Sequence, residues 1–495
     1  MFEQGYTPLT VILSSKSHNR PLFDCDFDCD DCDCPIISSN VSNKDISSTS
    51  KGLYHSNFYE VSLNYDFSIC YTSPYGKPAV LNRSALNLLS QFKQPRDIRV
   101  DRFSKPINSF VELGLLTPTN QLQPTLTESP TILTAWFHLT DRCNLRCSYC
   151  YLPHHKVDMT LETGQASIAA TFRSAVKHNY KTVKLKYSGG EAMLRFPLIR
   201  QLHQYAQQLA KQHDMALEGV ILSNGTLLKS EIIKQIQQLD LRLMISLDGL
   251  GLYQDQQRFY AGGKGTSADV IEAVKLSLSH GLTPYISITV TGQSAAGLPE
   301  VIDWVLQHDL PFSLNFYREN ELSASHKNLK LEEAKIIDGM LAAFKVIEQN
   351  MPRRSLLASL VDRANLSTPH VRTCGVGQSY LVFDHQGHVS KCQMHQSQSF
   401  TTAQADDPLA LIRADEIGIQ NLSVEEKEGC RNCEWKYWCT GGCPIVTYRA
   451  TGRYDVQSPN CNIYKTLYPE AIRLEGLRLL KHEVLRKAVN CRSSS

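Results

Sequence analysis

The chain has 495 residues, and its 51 Lys and Arg against 49 Asp and Glu give a net charge of +2. This length is enough for about three domains, and the nearly neutral balance argues against a nucleic-acid-binding surface. No apolar run approaches the ~20 residues of a membrane span, and the first residues do not resemble an export signal. Sixteen cysteines without such a signal therefore predict a cytoplasmic protein whose thiols bind metal.

Residues 1–52 form the first segment, which has low complexity and is predicted to be disordered. It is rich in Ser and Asn over Ser38–Ser50. Before that stretch, six aspartates lie among four cysteines: Cys25, Cys29, Cys32 and Cys34. The aspartate charge would disfavour an anionic thiolate cluster. A metal site is therefore the minor alternative here, and the role of these cysteines stays open.

Residues 53–118 are predicted to form a small winged-helix-like unit. A strand-rich stretch over 58–71 is followed by a turn at 73–76 and by two helices, one with apolar residues over 85–92 and one around 107–113. This pattern is similar to that of RiPP recognition elements, the domains that bind ribosomally made, post-translationally modified peptides. They bind the leader of a precursor peptide by adding it as a strand to a sheet edge. The alternative is a domain that serves packing alone.

Residues 131–350 alternate short β-rich runs with longer amphipathic ones, which predicts βα units around a parallel sheet. The predicted strands cover 134–139, 182–187, 219–222, 241–247, 285–290 and 312–316. The predicted helices include 161–177, 198–212, 230–239, 267–279 and 331–348. Six units predict an α/β fold, a partial (β/α)6 barrel. Its chemistry is expected at the carboxyl ends of the strands.

Three cysteines, Cys143, Cys147 and Cys150, lie directly after the first predicted strand of this barrel. Three thiolates on one loop can hold three irons of a 4Fe-4S cluster and leave the fourth iron free for another ligand. The alternative is a zinc site with His154 or His155 as its fourth ligand. Cys25, Cys29 and Cys32 have the same spacing, so the spacing alone does not identify a cluster site. The apolar strand that is predicted directly before Cys143 distinguishes this loop from the N-terminal cysteines.

The spacing C-x3-C-x2-C, with Tyr149 before the last cysteine, resembles the signature of the radical S-adenosylmethionine (radical SAM) enzymes. The resemblance implies that the three cysteines are catalytic cluster ligands, and that the fourth iron chelates the amino and carboxylate groups of S-adenosylmethionine. Further polar motifs follow the next three strands: Ser188, Gly189, Gly190 and Glu191; Ser223 and Asn224; Ser246 and Asp248. In this family, Gly-Gly-Glu holds the amino group, and the other motifs contact the ribose and methionine parts. Each motif alone is more typical of a turn, but their order after the cysteines favours the resemblance.

The stretch Asp255–Arg258, followed by the Gly-rich residues 262–266, also resembles family members that have a cysteine-rich C-terminal domain. Seven cysteines lie within residues 374–461 of this chain. Their spacing resembles the SPASM domain, which binds two auxiliary 4Fe-4S clusters; two structural zinc sites are the alternative. By position, the resemblance assigns Cys374, Cys392 and Cys443 to the nearer cluster, and Cys430, Cys433, Cys439 and Cys461 to the farther one. The nearer cluster would keep an open iron unless His385, His388 or His395 fills it.

The expected domains are therefore the leader segment 1–52, the recognition element 53–118, the radical SAM core 131–350, the SPASM domain 374–465, and a C-terminal helix and tail over 466–495. The implied protein is a radical SAM oxidoreductase with three 4Fe-4S clusters, S-adenosylmethionine, and an electron donor such as flavodoxin or ferredoxin. It would use a 5'-deoxyadenosyl radical to take hydrogen from a ribosomal precursor peptide. The product would be a carbon-carbon or thioether cross-link.

Two other functions remain open at this stage. One is anaerobic sulfatase maturation, in which Cys or Ser is oxidised to formylglycine. Enzymes of that group have Asp directly after the cysteine that corresponds to Cys392, where this chain has Gln393. The other is a non-catalytic iron-sulfur or zinc scaffold that binds a peptide. Partners such as nucleic acid and membrane are not expected.

Overall fold

The structure is a computed structural model that describes residues 11–13, 53–72, 78–97, 104–119, 126 and 130–492, with side chains in the last helix as far as His482. The predicted turn at 73–76 and most of residues 1–52 lie outside the described residues. Among the described residues, no helix is long and apolar enough to cross a bilayer.

The elements before residue 120 build two small sheets and two helices. They are β1 (Val11–Leu13), β2 (Leu53–His55), β3 (Tyr59–Ser62), β4 (Phe67–Tyr71), β5 (Ala79–Asn82), α1 (Arg83–Ser90), β6 (Arg96–Asp97), α2 (Ser104–Glu112) and β7 (Thr117–Pro118). One antiparallel sheet has the order β1-β5-β4-β3, and the other has the order β6-β2-β7. Because successive strand residues point to opposite faces, Cys70 and Leu81 pack with α1 and α2, whereas Ile69 and Val80 pack against the rest of the molecule.

Strand β1 corrects part of the expectation for residues 1–52. Val11–Leu13 pairs antiparallel with β5, with Val11 opposite Leu81 and Leu13 opposite Ala79. The expectation of disorder is wrong for these three residues because an apolar, partly β-branched run has strand propensity. It also covers an edge of the sheet that would otherwise leave backbone groups unpaired.

The barrel has six parallel strands in sequential order, and each lies within three residues of its predicted bounds. The strands are β8 (Ile132–His138), β9 (Thr182–Ser188), β10 (Ala216–Ser223), β11 (Arg242–Ser246), β12 (Tyr285–Val290) and β13 (Phe312–Phe316). The helices are α3 (Leu161–Lys177), α4 (Phe196–Gln212), α5 (Ser230–Gln238), α6 (Leu252–Asp255), α7 (Ser267–Ser279), α8 (Leu298–Gln307) and α9 (Glu333–Gln349). Of these helices, α6 and α8 were not among those predicted.

The cysteine-rich region continues the barrel sheet. Its elements are β14 (Tyr380–Phe383), β15 (His388–Ser390), β16 (Thr401–Thr402), α10 (Pro408–Ala414), α11 (Lys436–Cys439), α12 (Pro444–Thr451) and α13 (Cys461–Arg492). Strand β14 pairs parallel with β8, and β15 and β16 extend the sheet antiparallel. Helix α13 packs against α9 and against the sheet that contains β1, β3, β4 and β5. The first cysteine loop and the C-terminal cysteines are therefore attached to neighbouring strands.

Short 3-10 turns complete the described elements, at Gln91–Lys93, Ala192–Arg195, Ala295–Gly297, Lys327–Leu329, Gln393–His395 and Val424–Glu426.

Candidate active site and two cysteine-lined cavities

The loop that contains Cys143, Cys147 and Cys150 follows β8 and is held by the segment 255–266. The backbone N–H of Arg146 donates to the carbonyl of Phe259 at 2.8 Å, and the N–H of Ser148 donates to the carbonyl of Gln257 at 3.0 Å. From the other side, the N–H of Ala261 donates to the carbonyl of Asn144 at 2.9 Å. Residues 255–266, which include the stretch Asp255–Arg258, therefore support the cysteine loop through backbone hydrogen bonds.

The two glycines after β9 allow a second close contact with this loop. The N–H of Gly190 donates to the carbonyl of Thr140 at 2.6 Å, and the N–H of Glu191 donates to the carbonyl of Arg142 at 2.9 Å. A Cβ on either Gly189 or Gly190 would lie 2.5 Å from a backbone oxygen of the loop. Gly189 also has φ +147°, which disfavours other residues. The glycine pair thus brings Glu191 next to the three cysteines.

The carboxylate of Glu191 is buried and links the second and third motifs. Its Oε1 accepts from the N–H of Met193 at 2.9 Å and from the Ser223 hydroxyl at 2.8 Å, and its Oε2 accepts from the N–H of Asn224 at 2.7 Å. Burial raises the pKa of Glu191, although these three hydrogen bonds oppose the shift. A carboxylate accepts about four hydrogen bonds. One acceptor position of Glu191 therefore remains for a ligand.

Asn224 extends this network to the cysteine loop itself. Its side-chain amide donates to Asn144 Oδ1 at 2.9 Å and lies 3.9 Å from the sulfur of Cys143. Ser188, the last residue of β9, is buried, and its carbonyl accepts from the N–H of Leu139 at 2.9 Å. Ser246 is half-buried at the end of β11. These predicted residues all lie at the carboxyl edge of the parallel sheet.

Asp248 is fully buried and anchors the aromatic residue of the loop. It accepts from the Tyr149 hydroxyl at 2.6 Å, from the Gln257 side chain at 3.1 Å and from the N–H of Thr289 at 2.8 Å. The guanidinium of Arg258 lies 3.8 Å from Asp248, donates to the Tyr149 hydroxyl and sits over the Tyr149 ring at 5.8 Å. Tyr149 and Asp248, both predicted to contact S-adenosylmethionine, thus contact each other.

Gln257 and Arg258 are site residues to which sequence reasoning assigned no role. Their motif was visible in the sequence, but its contacts with Tyr149 and Asp248 span long separations along the chain. No residue type or spacing signals that Arg258 lies beside the cysteine loop, because the fold alone brings the two together.

The three thiols suit a metal cluster better than a free state. Burial raises the pKa of Cys143 to about 11 and that of Cys147 to about 12, and it also raises the pKa of Cys150. The positive charge of Arg258 opposes each shift, and the N–H of Leu145 donates to the sulfur of Cys143 at 3.3 Å. Metal binding stabilises thiolates in such surroundings. The donor set therefore fits a 4Fe-4S cluster.

In the part of the chain that the structure describes, no group of three or more His, Cys, Asp or Glu side chains is placed to hold a single metal ion. In a four-iron cluster each thiolate binds a different iron. The cysteine ligands of such a cluster therefore line a cavity and are not all within bonding distance of one metal ion.

Two cavities in the C-terminal region have this form. The first, here called the nearer cavity, has about 450 Å³ including space open to solvent. Its thiols are those of Cys374, Cys392 and Cys443, and its other polar lining residues include Arg318, Arg363, Tyr380 and Gln393. The pKa of Cys443 is lowered, because Arg318 and Arg363 outweigh the raising effect of burial. Burial raises the pKa of Cys392 to about 12.

The second, here called the farther cavity, has about 340 Å³ including open space. Four thiols line it: Cys430, Cys433, Cys439 and Cys461. Its wall also includes three aromatic rings, those of Trp435, Tyr464 and Tyr468, and two lysines, Lys436 and Lys465. The structure thus groups the seven cysteines of residues 374–461 in the two sets that the resemblance implied. Their donor chemistry fits one four-iron cluster in each cavity.

The connection between the cavities is a turn of unusual backbone conformation. Thr440, Gly441 and Gly442 have φ values of 53°, 84° and 69°, and they join Cys439 of the farther cavity to Cys443 of the nearer one. The buried Lys427 donates to the carbonyl of Thr440 at 2.7 Å. Burial lowers the pKa of Lys427, and nearby cysteines of both cavities oppose that shift. Sequence reasoning did not identify this buried cation.

The three histidines proposed to complete the nearer set do not line the nearer cavity. His388 lies four residues after Asp384, and its Nδ1 is 3.0 Å from the carboxylate of that residue. His395 is the last residue of the turn Gln393–His395. His385 contributes to the charge around Asp141, near the first cysteine loop. The structure therefore does not support a histidine as the fourth ligand of the nearer set, and an open iron remains the interpretation of this site. The side chains that occupy this wall are Gln393 and Met394.

Comparison with known proteins identifies the barrel. Residues 137–305 match the model of the Radical SAM superfamily. The chain is 23% identical to the Fe-coproporphyrin III synthase of Methanosarcina barkeri, over 70% of this chain and 91% of that protein. It is 22% identical to the serine-type anaerobic sulfatase-maturating enzyme of Klebsiella aerogenes, over 61% of this chain and 77% of that protein.

A solved structure of anSMEcpe with bound AdoMet and the Cp18Cys peptide has a similar fold. Its TM-score is 0.58 at 18% identity, and the alignment covers 70% of this chain and 99% of that one. The predicted α/β fold of radical SAM type is thus confirmed. The family match implies one 4Fe-4S cluster and S-adenosylmethionine. The chain therefore contains a radical SAM domain, which includes the cysteine loop and the polar motifs of the barrel.

Proposed function

We propose that this protein is a radical SAM maturase that cross-links a ribosomal precursor peptide with the help of two auxiliary 4Fe-4S clusters. The observation that carries the proposal is the arrangement of ten cysteines. Three lie on one loop at the barrel edge, and seven are divided between two cavities next to it. Cys143, Cys147 and Cys150 would hold the cluster that, when bound, would supply the electron for reductive cleavage of S-adenosylmethionine.

The residues of the chain hold the reactants in place. Arg258 and Asp248 fix Tyr149, and with it the end of the cysteine loop. The remaining acceptor position of Glu191 would receive the ammonium group of S-adenosylmethionine, and Ser223, Asn224 and Ser246 border the same edge of the sheet. Burial of this edge excludes water from a reactive intermediate.

A peptide substrate is supported by the N-terminal sheet and its contact with the farther cavity. Tyr71 of β4 and Tyr59 of β3 lie 5.4 and 6.3 Å from the ring of Trp435, which lines that cavity. A peptide added to this sheet as a strand would lie beside an auxiliary cluster. That cluster can remove the electron that forming a carbon-carbon or thioether bond releases.

Anaerobic sulfatase maturation is the second candidate, because the Klebsiella relative has that activity in its name and anSMEcpe shares the fold. Gln393 weighs against it. This residue lines the nearer cavity beside Cys392, where its Oε1 accepts from the Tyr380 hydroxyl at 3.0 Å. A neutral amide cannot take the proton that formylglycine formation must remove.

The test is anaerobic reconstitution with iron and sulfide, followed by addition of S-adenosylmethionine and a reductant. We expect 5'-deoxyadenosine from the wild-type protein and none from Cys147→Ala. Cys70→Ala is the matched control, because Cys70 is a buried thiol in the core of the N-terminal helices and lines neither cavity. Zinc without inorganic sulfide, or 5'-deoxyadenosine from Cys147→Ala, would contradict the proposal.

A further inference from the structure

A third pocket lies at the amino ends of β8 and β14. It has about 650 Å³ including space open to solvent, and its lining residues include Arg372, Arg413, Gln378 and Ser379. Ser379 directly precedes β14, and its carbonyl accepts from the N–H of Thr134 in β8 at 3.0 Å. This pocket, here called the arginine pocket, is therefore separated from the cysteine loop by the length of β8, roughly 20 Å.

The arginine pocket shares a wall with the nearer cavity. Cys374 and Gly375 line both spaces. Among the residues that the structure describes, none lines both the arginine pocket and the farther cavity. Cys374 is one of the three thiols that the nearer cluster would use. It therefore connects that cluster to a surface that solvent reaches.

The arginine pocket is positively charged. Of its described lining residues, two are arginines and none is acidic. The Nε of Arg413 donates to the carbonyl of Gln378 at 2.8 Å, and its Nη2 donates to the Tyr180 hydroxyl at 2.9 Å. The Nη1 of Arg413 lies 3.0 Å from His178, which pairs with Asp407 at 2.9 Å. Because an arginine has five N–H donors, two of those of Arg413 remain for a partner.

Two exposed apolar side chains flank Arg413 along the chain. Leu411 of α10 is 48% exposed, and Ile417 is 85% exposed. Protein interfaces combine apolar contact area with arginine, whereas a small anion needs no apolar surface. The segment beside the arginine pocket therefore favours a protein partner with an acidic face.

We propose that the arginine pocket docks an acidic one-electron carrier protein, which takes the electron released by cross-linking from the nearer cluster past Cys374. The proposal rests on the function proposed above and names its redox partner and the docking surface. Acidic groups of the carrier pair with Arg372 and Arg413, and the opposite charges speed the encounter. Because S-adenosylmethionine and the substrate bind at the other end of the strands, the carrier displaces neither.

The electron count of the proposed function requires such an exit. Reductive cleavage of S-adenosylmethionine consumes one electron. The carbon radical left by hydrogen abstraction then forms the new bond with loss of one proton, which goes to water, and of one electron, which an auxiliary cluster takes up. The oxidised carrier accepts this electron and becomes reduced by one electron, so the cluster is oxidised again before the next cycle.

The first experiment measures binding of two acidic carriers, an oxidised flavodoxin and an oxidised [2Fe-2S] ferredoxin, to the anaerobically reconstituted full chain. Gln378→Glu adds a negative charge to the pocket and keeps the size of the side chain. The hydrogen bonds that the structure gives Gln378 are made by its backbone. We expect at least one carrier to bind Gln378→Glu about fivefold more weakly than wild type, and Gln378→Lys about fivefold more tightly.

Gln208→Glu is the matched control, because Gln208 is exposed on α4 and lines neither the two cysteine cavities nor the arginine pocket. It should leave both dissociation constants unchanged. The effect of Gln378→Glu should shrink as the salt concentration rises from about 50 to about 300 mM. The proposal is overturned if neither carrier binds the wild-type protein, or if Gln378→Glu and Gln378→Lys change the dissociation constant in the same direction.

A second experiment tests the route through the nearer cavity. In Cys147→Ala the auxiliary clusters are the only ones expected, and in Cys147→Ala/Cys392→Ala only the farther cluster is expected. Each protein is photoreduced with a deazaflavin and mixed with the oxidised carrier that binds more tightly. Rapid freeze-quench electron paramagnetic resonance then follows reduction of the carrier. We expect the single variant to reduce the carrier faster than the double variant, and equal rates would overturn the route.

These outcomes are distinct from the test of the proposed function. Wild-type protein that forms 5'-deoxyadenosine but fails the binding test would overturn the docking surface and leave the proposed function standing. Protein that binds a carrier with the expected dependence on Gln378 but forms no 5'-deoxyadenosine would contradict the proposed function and support the docking surface.

Discussion

The two C-terminal cavities differ in the ligands that they offer. The farther cavity has four thiols, three aromatic rings and two lysines, whereas the nearer cavity has three thiols together with Arg318, Arg363 and Gln393. Four thiols complete the coordination of a four-iron cluster, and three leave one iron open. We therefore expect the farther site to transfer electrons only and the nearer site to accept a ligand or a substrate group as well.

Electrostatics distinguishes one thiol of the nearer cavity. The guanidinium groups of Arg318 and Arg363 hold the pKa of Cys443 below its usual range, although burial opposes them. Burial instead raises the pKa of Cys392 in the nearer cavity and that of Cys430 in the farther one, each to about 12. The two guanidinium groups beside Cys443 suit an anionic ligand or a developing negative charge at that place.

The largest expected effect comes from removing one thiol from each cavity. Cys392→Ala leaves two thiols in the nearer cavity and should lose about four irons per chain, whereas Cys433→Ala leaves three thiols in the farther cavity and should keep a cluster with one open iron. Both variants should still cleave S-adenosylmethionine and should form no cross-linked product, because Cys143, Cys147 and Cys150 are intact. Cys433→Ala should also unfold at lower temperature than Cys392→Ala, since Trp435 and the neighbouring tyrosines belong to the main core.

Iron and sulfide analysis, 5'-deoxyadenosine assays and anaerobic thermal unfolding measure these three properties. A Cys392→Ala protein that kept its full iron content or made normal product would show that the nearer cavity does not hold a cluster needed for turnover.

The sequence predicted local features better than long-range ones. The six barrel strands were found because buried parallel strands are apolar runs, and the first four of them are each followed by a polar motif at the carboxyl end. The pairing of β14 with β8 was not predicted, because it joins residues far apart in the chain and depends on backbone groups that any apolar segment provides.

In the candidate site, too, local features were predicted from the sequence and long-range contacts were not. Cysteine, glycine and Glu191 stand out in the sequence by residue type and spacing. Arg258 and Lys427 do not stand out, because their meaning comes from burial beside Asp248 and beside the carbonyl of Thr440. Val11–Leu13 was missed for a related reason: three apolar residues in a polar segment form a strand only when β5 offers an edge.

The next largest effect tests the charge of the nearer cavity. Arg318 lies 2.7 Å from Asp362, which is buried, while the Arg318 side chain is 11% exposed. Arg318→Met leaves the carboxylate of Asp362 buried without this partner, so we expect the free energy of unfolding to fall by about 3–5 kcal/mol. Denaturant unfolding under anaerobic conditions measures the change.

Lys330→Met is the matched control, because Lys330 forms an exposed pair with Glu319 at 3.5 Å. Such surface pairs contribute about 0–1 kcal/mol. Equal losses in the two variants would mean that the Arg318 pair does not support the nearer cavity.

A smaller effect is expected at the turn that joins the cavities. Gly441 has φ +84°, and an added Cβ would lie 2.8 Å from Lys427 Cδ and 3.4 Å from the sulfur of Cys430. Gly452 has φ +70° with open space around it. Gly441→Ala and Gly452→Ala should both cost about 1–2 kcal/mol of backbone strain. Only Gly441→Ala should change the electron paramagnetic resonance spectrum of the reduced farther cluster, and a change in both would contradict this assignment.

The smallest effect concerns the cation between the cavities. Lys427→Met keeps the volume of the side chain and removes a charge that lies near cysteines of both cavities. Loss of a buried positive charge makes reduction of a nearby cluster less favourable, so both auxiliary potentials should fall, by on the order of tens of millivolts. Arg318→Met should lower the nearer potential alone, and Lys335→Met, in an exposed pair with Glu332, should change neither. Redox titration followed by electron paramagnetic resonance measures both potentials. A shift of one potential only in Lys427→Met would place its charge with a single cavity, and the two sites would then be electrostatically independent.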